Sequence, residues 1–114
     1  MSSDPSPDPS RIVGFIDMGT NSIRLLLVRI NPNHSTTVLS QLKQTVRLGE
    51  GEFADQKLQP QAMDRAALVL QKFADLARSY GATEITAVAT AATREAENQA
   101  EFVERLWQQA KLDI

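Results

Sequence analysis

The stretch DMGTNSIRLLLVRI, residues Asp17–Ile30, sets an acidic side chain, a glycine and the small polar side chains of Thr20, Asn21 and Ser22 directly before an aliphatic run. The apolar, β-rich run IVGFID, Ile12–Asp17, precedes it, so the pattern predicts two strands joined by a polar turn. The partly continuous hydrophobicity of Ile23–Ile30 predicts a strand covered on both faces. Gly19 is expected to supply backbone angles closed to other residues as the chain turns back. A glycine turn lined by Thr20, Asn21 and Ser22 presents N–H groups and hydroxyls in a small concavity, as phosphate-binding nests do. Asp17 lies beside that concavity. A carboxylate repels a phosphate unless a cation or a proton stands between them, so Asp17 implies Mg²⁺ or an acid–base role. An ordinary hairpin turn fits the same local pattern.

Downstream, Asn31-Pro32-Asn33-His34-Ser35 supplies turn chemistry, and TTVLSQLKQTVRLG follows as a third extended segment with Val38, Leu42 and Val46 at even spacing. The three segments predict an antiparallel meander whose last, more polar strand lies near an edge. Gly49-Glu50-Gly51-Glu52 breaks the third strand. Met63, Ala66, Leu70, Phe73 and Ala77 then recur at three and four residues, which places them on one face of an amphipathic helix. Pro60 suits its first turn and Gly81 the left-handed position just past its end, whereas Gln59 is a poor N-cap.

EITAVAT, Glu84–Thr90, predicts a strand parallel to a neighbour, since a helix intervenes. A second helix is expected from Asn98, capped by its side chain, with Glu101 reaching back as in a capping box. Its buried stripe would be Phe102, Val103, Leu106, Trp107 and Ala110. Leu112–Ile114 resembles the first residues of another strand. The order β-β-β-α-β-α followed by a truncated strand predicts a partial α/β domain.

Two further segments bear on chemistry. ATAATREAEN, Ala89–Asn98, follows a strand and precedes a helix, where ligands of α/β sheets tend to lie. Arg94 is its anion ligand, because a planar guanidinium holds two phosphate oxygens at once; a solvent-exposed arginine paired with Glu95 or Glu97 is the competing reading. Arg47-Leu48-Gly49-Glu50-Gly51 can line the same cleft, although GxG by itself mostly marks a loop. His34, the only histidine, sits in the Asn/Pro turn and reads as a solvated loop residue. Trp107 and Phe102 read as core rather than as a stacking platform for bases.

Composition narrows the function classes. A chain of 114 residues with 42% hydrophobic residues has the size and apolar content of one domain. Residues 1–11, MSSDPSPDPSR, hold three of the five prolines and no apolar face, and are expected to be a disordered tail. A net charge of −2 with scattered basic residues offers no electrostatic footprint for nucleic acid or an acidic membrane. The absence of cysteine excludes disulfides, thiol catalysis and a cysteine zinc site. No apolar run approaches a bilayer span and the tail lacks signal-peptide features, so a cytoplasmic protein is expected.

GFIDMGTNSIRLLL, VRLGEG, the Pro60–Tyr80 helix and AVATAATREAEN together resemble the N-terminal part of the Ppx/GppA family, the exopolyphosphatases and guanosine pentaphosphate phosphatases. The likeness covers residues 12–114, as the N-terminal part of the family's first lobe. DxGTNSxR occurs in looser form in sugar kinases and heat-shock chaperone ATPases; its combination with VRLGEG and ATxxxREAxN is more specific. The resemblance implies a ribonuclease H-like fold of the actin-like superfamily. It also implies phosphate binding by Asp17, Gly19, Thr20, Asn21, Ser22 and Arg94, with Asp17 as a metal ligand for Mg²⁺. The implied reaction is hydrolysis of a terminal phosphoanhydride in polyphosphate or guanosine pentaphosphate, by a full-length form that is a homodimer. The family's catalytic glutamate and second glycine-rich phosphate loop match no position here, so the 114 residues alone are expected to be inactive. The competing expectations are a non-catalytic phosphate- or nucleotide-binding fragment and the first segment of a sugar kinase-like enzyme.

Overall fold

Alternating apolar residues along Ile12–Ile30 build a hairpin, to which the rest of the chain adds in sequence. The computed structural model describes residues 10–47, 58–89 and 97–114. Strands β1 (Arg11–Met18), β2 (Ser22–Ile30) and β3 (Thr36–Thr45) form an antiparallel meander. Helix α1 (Pro60–Ser79) crosses over to β4 (Ala82–Ala89), which lies parallel to β1, and α2 (Gln99–Ala110) follows. The sheet order is β3-β2-β1-β4. A parallel neighbour requires such a crossover, and the predicted β-β-β-α-β-α order is the observed one.

Three boundaries differ from expectation. β1 starts at Arg11, inside the segment read as a tail, because Arg11 pairs with Ile30 and its guanidinium lies 3.8 Å from Glu84 of β4. Residues 1–9 of that segment lie outside the described residues. β4 begins two positions earlier than the β-branched run, at Ala82, and Thr90 lies outside the described residues. Leu112–Ile114 takes no strand conformation; α2 ends on Lys111 in the left-handed region (φ 56°), and Leu112 turns into the core.

The helix-facing side of the sheet is made by Gly14, Ile16 and Met18 of β1 and by Ile23, Leu25 and Leu27 of β2, all buried. α1 packs on this face with the predicted stripe Met63, Ala66, Leu70, Phe73 and Ala77, and α2 joins the same core through Phe102, Leu106 and Ala110. The alanines of α1 let the helix come close. At Gly14 an added Cβ would stand 3.3 Å from Leu27 Cδ2 and 3.5 Å from Ala77 Cβ, so this glycine marks a close helix–strand approach.

The opposite, more open face is covered unevenly: the paired Val13 and Val28 are buried, whereas Phe15 and Arg24 are exposed. The two-sided cover expected for β2 is therefore met at Val28, partly at Leu26 and not at Arg24. Aliphatic content misleads only toward the loop end of the strand, where the residue that faces away from the helices is Arg24. A register shift opposite Leu27 and Val28 also separates Val38 from Leu42. Val38 falls opposite Val28 on the open face and Leu42 opposite Leu25 on the helix face, so their even spacing does not make one stripe. Val46, just past the strand, is buried.

Gly81 takes the left-handed conformation (φ 92°) expected after α1. The start of α2 differs. Asn98 makes no side-chain cap; its amide Oδ1 accepts from the Leu58 N–H (2.9 Å) and its Nδ2 donates to the Leu58 carbonyl (3.0 Å). That two-point bond satisfies a backbone donor and acceptor just before α1, a stronger use of the amide than a cap. Trp107 departs from the predicted stripe: it is 51% exposed, with Lys111 Nζ 5.8 Å from its ring centroid. α1 and α2 are further joined by Arg105–Asp64 (2.7 Å) and by a Gln109–Gln71 amide bond. Among the described residues no helix is long and apolar enough to cross a membrane.

Candidate functional site

The β1–β2 turn is short because Met18 and Ile23 are the last paired residues, and Gly19, Thr20 and Asn21 must reverse the chain before β2 begins at Ser22. The Gly19 N–H donates to the Ser22 carbonyl at 2.9 Å, closing the turn. Gly19 does not have a positive φ, so its expected role in supplying unusual angles is replaced by one of space. A Cβ there would lie 3.2 Å from the Ser22 carbonyl oxygen, against the same bond that closes the turn.

Asp17, Gly19, Thr20, Asn21 and Ser22, the five predicted loop residues, do converge. With Arg24 they line a concavity of about 370 Å³ at the end of β1. Asp17 is exposed on the open face and stands opposite Arg24 in the hairpin register. Arg24 in turn stands opposite Lys43 of β3. Like charges directly opposed destabilise a sheet, and Asp17 on the other flank of Arg24 offsets this. A neighbouring hollow of about 440 Å³ continues over the open face, sharing Asp17 and Arg24 and adding Phe15, Leu26 and Lys43.

Arg24 closes the DxGTNSxR motif without receiving a role from it, and the structure adds it to the lining of the concavity. The signal for it lies in symmetry: a hairpin centred between Thr20 and Asn21 makes Asp17 and Arg24 partners. Arg94, Leu48, Gly49, Glu50, Gly51 and Glu95 lie outside the described residues. The register nonetheless sets Met18 beside Ala89, so the β1–β2 loop and the segment after β4 leave the sheet at the same edge. That edge carries the carboxyl ends of two parallel strands, the usual position for ligands in α/β folds. His34 is exposed in the Asn31–Ser35 turn, with φ 70°, and lies at the other end of the sheet.

The far wall of the loop is held by β3. The N–H groups of Val46 and Arg47 both donate to the Asn21 carbonyl, at 2.8 and 3.0 Å. Arg47 adopts a left-handed conformation (φ 53°), which costs a non-glycine residue roughly 1–2 kcal/mol. Arg65 of α1 donates from Nε to the Val46 carbonyl (2.9 Å) and from Nη2 to the Arg47 carbonyl (3.4 Å).

No group of three or more His, Asp or Glu side chains among the described residues forms a metal cage. The donor set of the concavity is one carboxylate, Asp17, with the hydroxyls of Thr20 and Ser22 and the amide of Asn21. Mg²⁺ is commonly held by one or two carboxylates together with substrate phosphates and water. These oxygens therefore fit a Mg²⁺ shared with a phosphate, with Asp17 as its protein ligand.

A profile of the Ppx/GppA phosphatase family matches residues 26–114. The chain belongs to the Ppx/GppA phosphatase family. It is 30% identical to exopolyphosphatase 1 of Mycobacterium tuberculosis over 90% of its own length and 30% of that relative's. Exopolyphosphatase 1 of Mycobacterium leprae is 33% identical over 82% of this chain and 28% of the relative. Among solved structures, a Ppx/GppA family member of Aquifex aeolicus superposes with a TM-score of 0.87 and 26% identity, over 92% of this chain and 35% of that one. An exopolyphosphatase from Cytophaga hutchinsonii superposes with a TM-score of 0.85 and 30% identity, over 90% of this chain and 33% of that one. The chain thus spans about a third of the length of its Ppx/GppA relatives. The superpositions bear out the expected α/β, ribonuclease H-like partial domain of actin-like type.

Proposed function

We propose that this chain is the phosphate-binding segment of a Ppx/GppA phosphoanhydride hydrolase that releases terminal phosphate from polyphosphate or guanosine pentaphosphate. The observation that carries this reading is the lining of the loop concavity: one carboxylate, one guanidinium and a glycine turn with two hydroxyls, all within one hairpin. Such a set suits a phosphoryl group whose charge is met by donors on one side and by a cation on the other.

In this reading the hydroxyls of Thr20 and Ser22 and the loop N–H groups donate to the oxygens of the terminal phosphoryl group. Arg24 donates two parallel bonds from its fork, and Arg94 adds a second guanidinium from the segment after β4. Asp17 orients Mg²⁺, which when bound neutralises charge growing on the phosphate oxygens. Water attacks the terminal phosphorus and the bond to the bridging oxygen breaks, leaving the shortened phosphate chain as the other product. Asp17 is the only carboxylate lining the concavity among the described residues, and it is committed to the cation. Activation of the water is assigned to the catalytic glutamate of the family, which matches no motif position in this sequence, and in this reading the chain by itself binds phosphate without turning it over.

Mg²⁺-dependent phosphate release from polyphosphate and from guanosine pentaphosphate, measured for this chain and for a version extended to the length of its relatives, tests the proposal. The extended protein is expected to turn over at least one of the two, and the short chain neither. Sustained turnover by the short chain would overturn the assignment of Asp17 to the cation. Failure of both proteins on both substrates would favour a non-catalytic phosphate-binding module.

A further inference from the structure

We propose that Arg65, in the second turn of α1, is a positioning residue that sets the shape of the phosphate loop through the exit of β3. This rests on the phosphate-binding reading of the loop. The side chain reaches two successive carbonyls, Val46 O at 2.9 Å and Arg47 O at 3.4 Å. The amides of the same two residues converge on the Asn21 carbonyl, at 2.8 and 3.0 Å. One relay of hydrogen bonds thus runs from α1, through β3, to the peptide joining Asn21 to Ser22. Because that peptide is planar, fixing the direction of its carbonyl also fixes the direction of the Ser22 N–H. Asn21 and Ser22 both line the concavity.

The chemistry of the clamp explains why an arginine serves here. Its guanidinium presents several N–H donors in a fixed plane, so two adjacent carbonyls can be held in one relative orientation. Lysine offers a compact cation on a flexible stem and has no such plane. The clamp acts where the backbone is strained, since Arg47 occupies the left-handed region. Without it, Val46 and Arg47 have a path back to relaxed extended geometry, which would swing their N–H groups away from Asn21.

The competing explanation is that Arg65 merely fastens α1 to the sheet. The molecule supplies its own control. Arg78, at the other end of α1, donates from Nη2 to the carbonyls of Ala110 (3.1 Å) and Lys111 (3.2 Å), the same kind of clamp on a segment remote from the loop. A purely structural role predicts equal consequences for the two arginines.

The test uses this chain as Arg65→Met, Arg65→Lys and Arg78→Met, with melting temperature as the common scale. Amide hydrogen exchange at Val46 and Arg47 is read by NMR, and affinity for inorganic tripolyphosphate with Mg²⁺ is read from the Gly19, Thr20 and Ser22 amide shifts. Arg65→Met is expected to speed exchange at Val46 and Arg47 and to weaken tripolyphosphate binding by roughly tenfold, the scale of a lost charge-assisted hydrogen bond. Arg65→Lys should recover part of both, and Arg78→Met should alter neither at a comparable drop in melting temperature. Equal losses in Arg65→Met and Arg78→Met overturn the proposal, as does unchanged affinity in Arg65→Met. If Arg65→Met does not fold, wild-type exchange and affinity in Arg65→Lys overturn it. A wild-type chain that ignores tripolyphosphate refutes the phosphate reading alone; Arg65 is then decided by the exchange rates and by the Asn21 and Ser22 shifts, which must still move.

Discussion

The two faces of the four-stranded sheet are built from the same strands but to different rules. On the side packed by the helices, Ile16, Met18, Ile23, Leu25 and Leu27 are at most 1% exposed. On the other side Phe15, Val38 and Val88 are 45–58% exposed, and the row Asp17–Arg24–Lys43 crosses three strands near the loop. The difference teaches where each property resides. The buried face makes the fold stable, whereas the charged end of the open face and the adjoining loop are free to carry chemistry because little packing depends on them.

Substitutions can break that division. Leu27→Ala on the buried face is expected to cost about 2–5 kcal/mol in urea unfolding, from lost burial and the cavity left behind. A loss below that of a surface substitution would show that α1 does not depend on the sheet. Gly14→Ala should cost about 1 kcal/mol, since its Cβ would press on Leu27 and Ala77 and the neighbours must yield a few tenths of an ångström. A stabilised Gly14→Ala would mean that the close approach is slack. Arg24→Gln on the open face is expected to leave the urea midpoint unchanged while weakening tripolyphosphate binding roughly tenfold. Loss of stability in its place would make Arg24 part of the framework. Val38→Thr, opposite Val28 and away from the charged row, should change stability by less than about 0.5 kcal/mol and leave binding untouched.

What could be read in advance follows the same division. α1 was legible because its burial is one-dimensional: apolar residues at three and four, Pro60 before them and Gly81 after them suffice to define it. The presence of β3 and its place at an edge were equally legible, but not the faces of its side chains, because the extra residue opposite Leu27 and Val28 sets Val38 and Leu42 on opposite faces, and nothing local announces a bulge. Asn98 reads as a cap because only its neighbours are visible in the chain, yet its amide bonds to Leu58, a residue remote in sequence. Trp107 counts as apolar in any periodic pattern, although its large ring leans outward over Lys111. At the loop, residue types identify Asp17, Gly19, Thr20, Asn21 and Ser22, since their chemistry is concentrated in one turn. The relay from Arg65 is invisible there, because backbone hydrogen bonds leave no trace in side-chain identity.

The pairing of β1 with β4 also orders events in time. Ile12 must meet Ala82 and Met18 must meet Ala89, so the first strand waits for everything through α1 before its second edge is satisfied. The meander of β1, β2 and β3 closes only short loops, whereas the parallel pair closes a long one at greater entropic cost. During synthesis the loop bearing Asp17 to Ser22 therefore takes its turn early, on a hairpin that is still half a sheet. The end of β4 at Ala89, beside Met18, joins it only after α1 has been made.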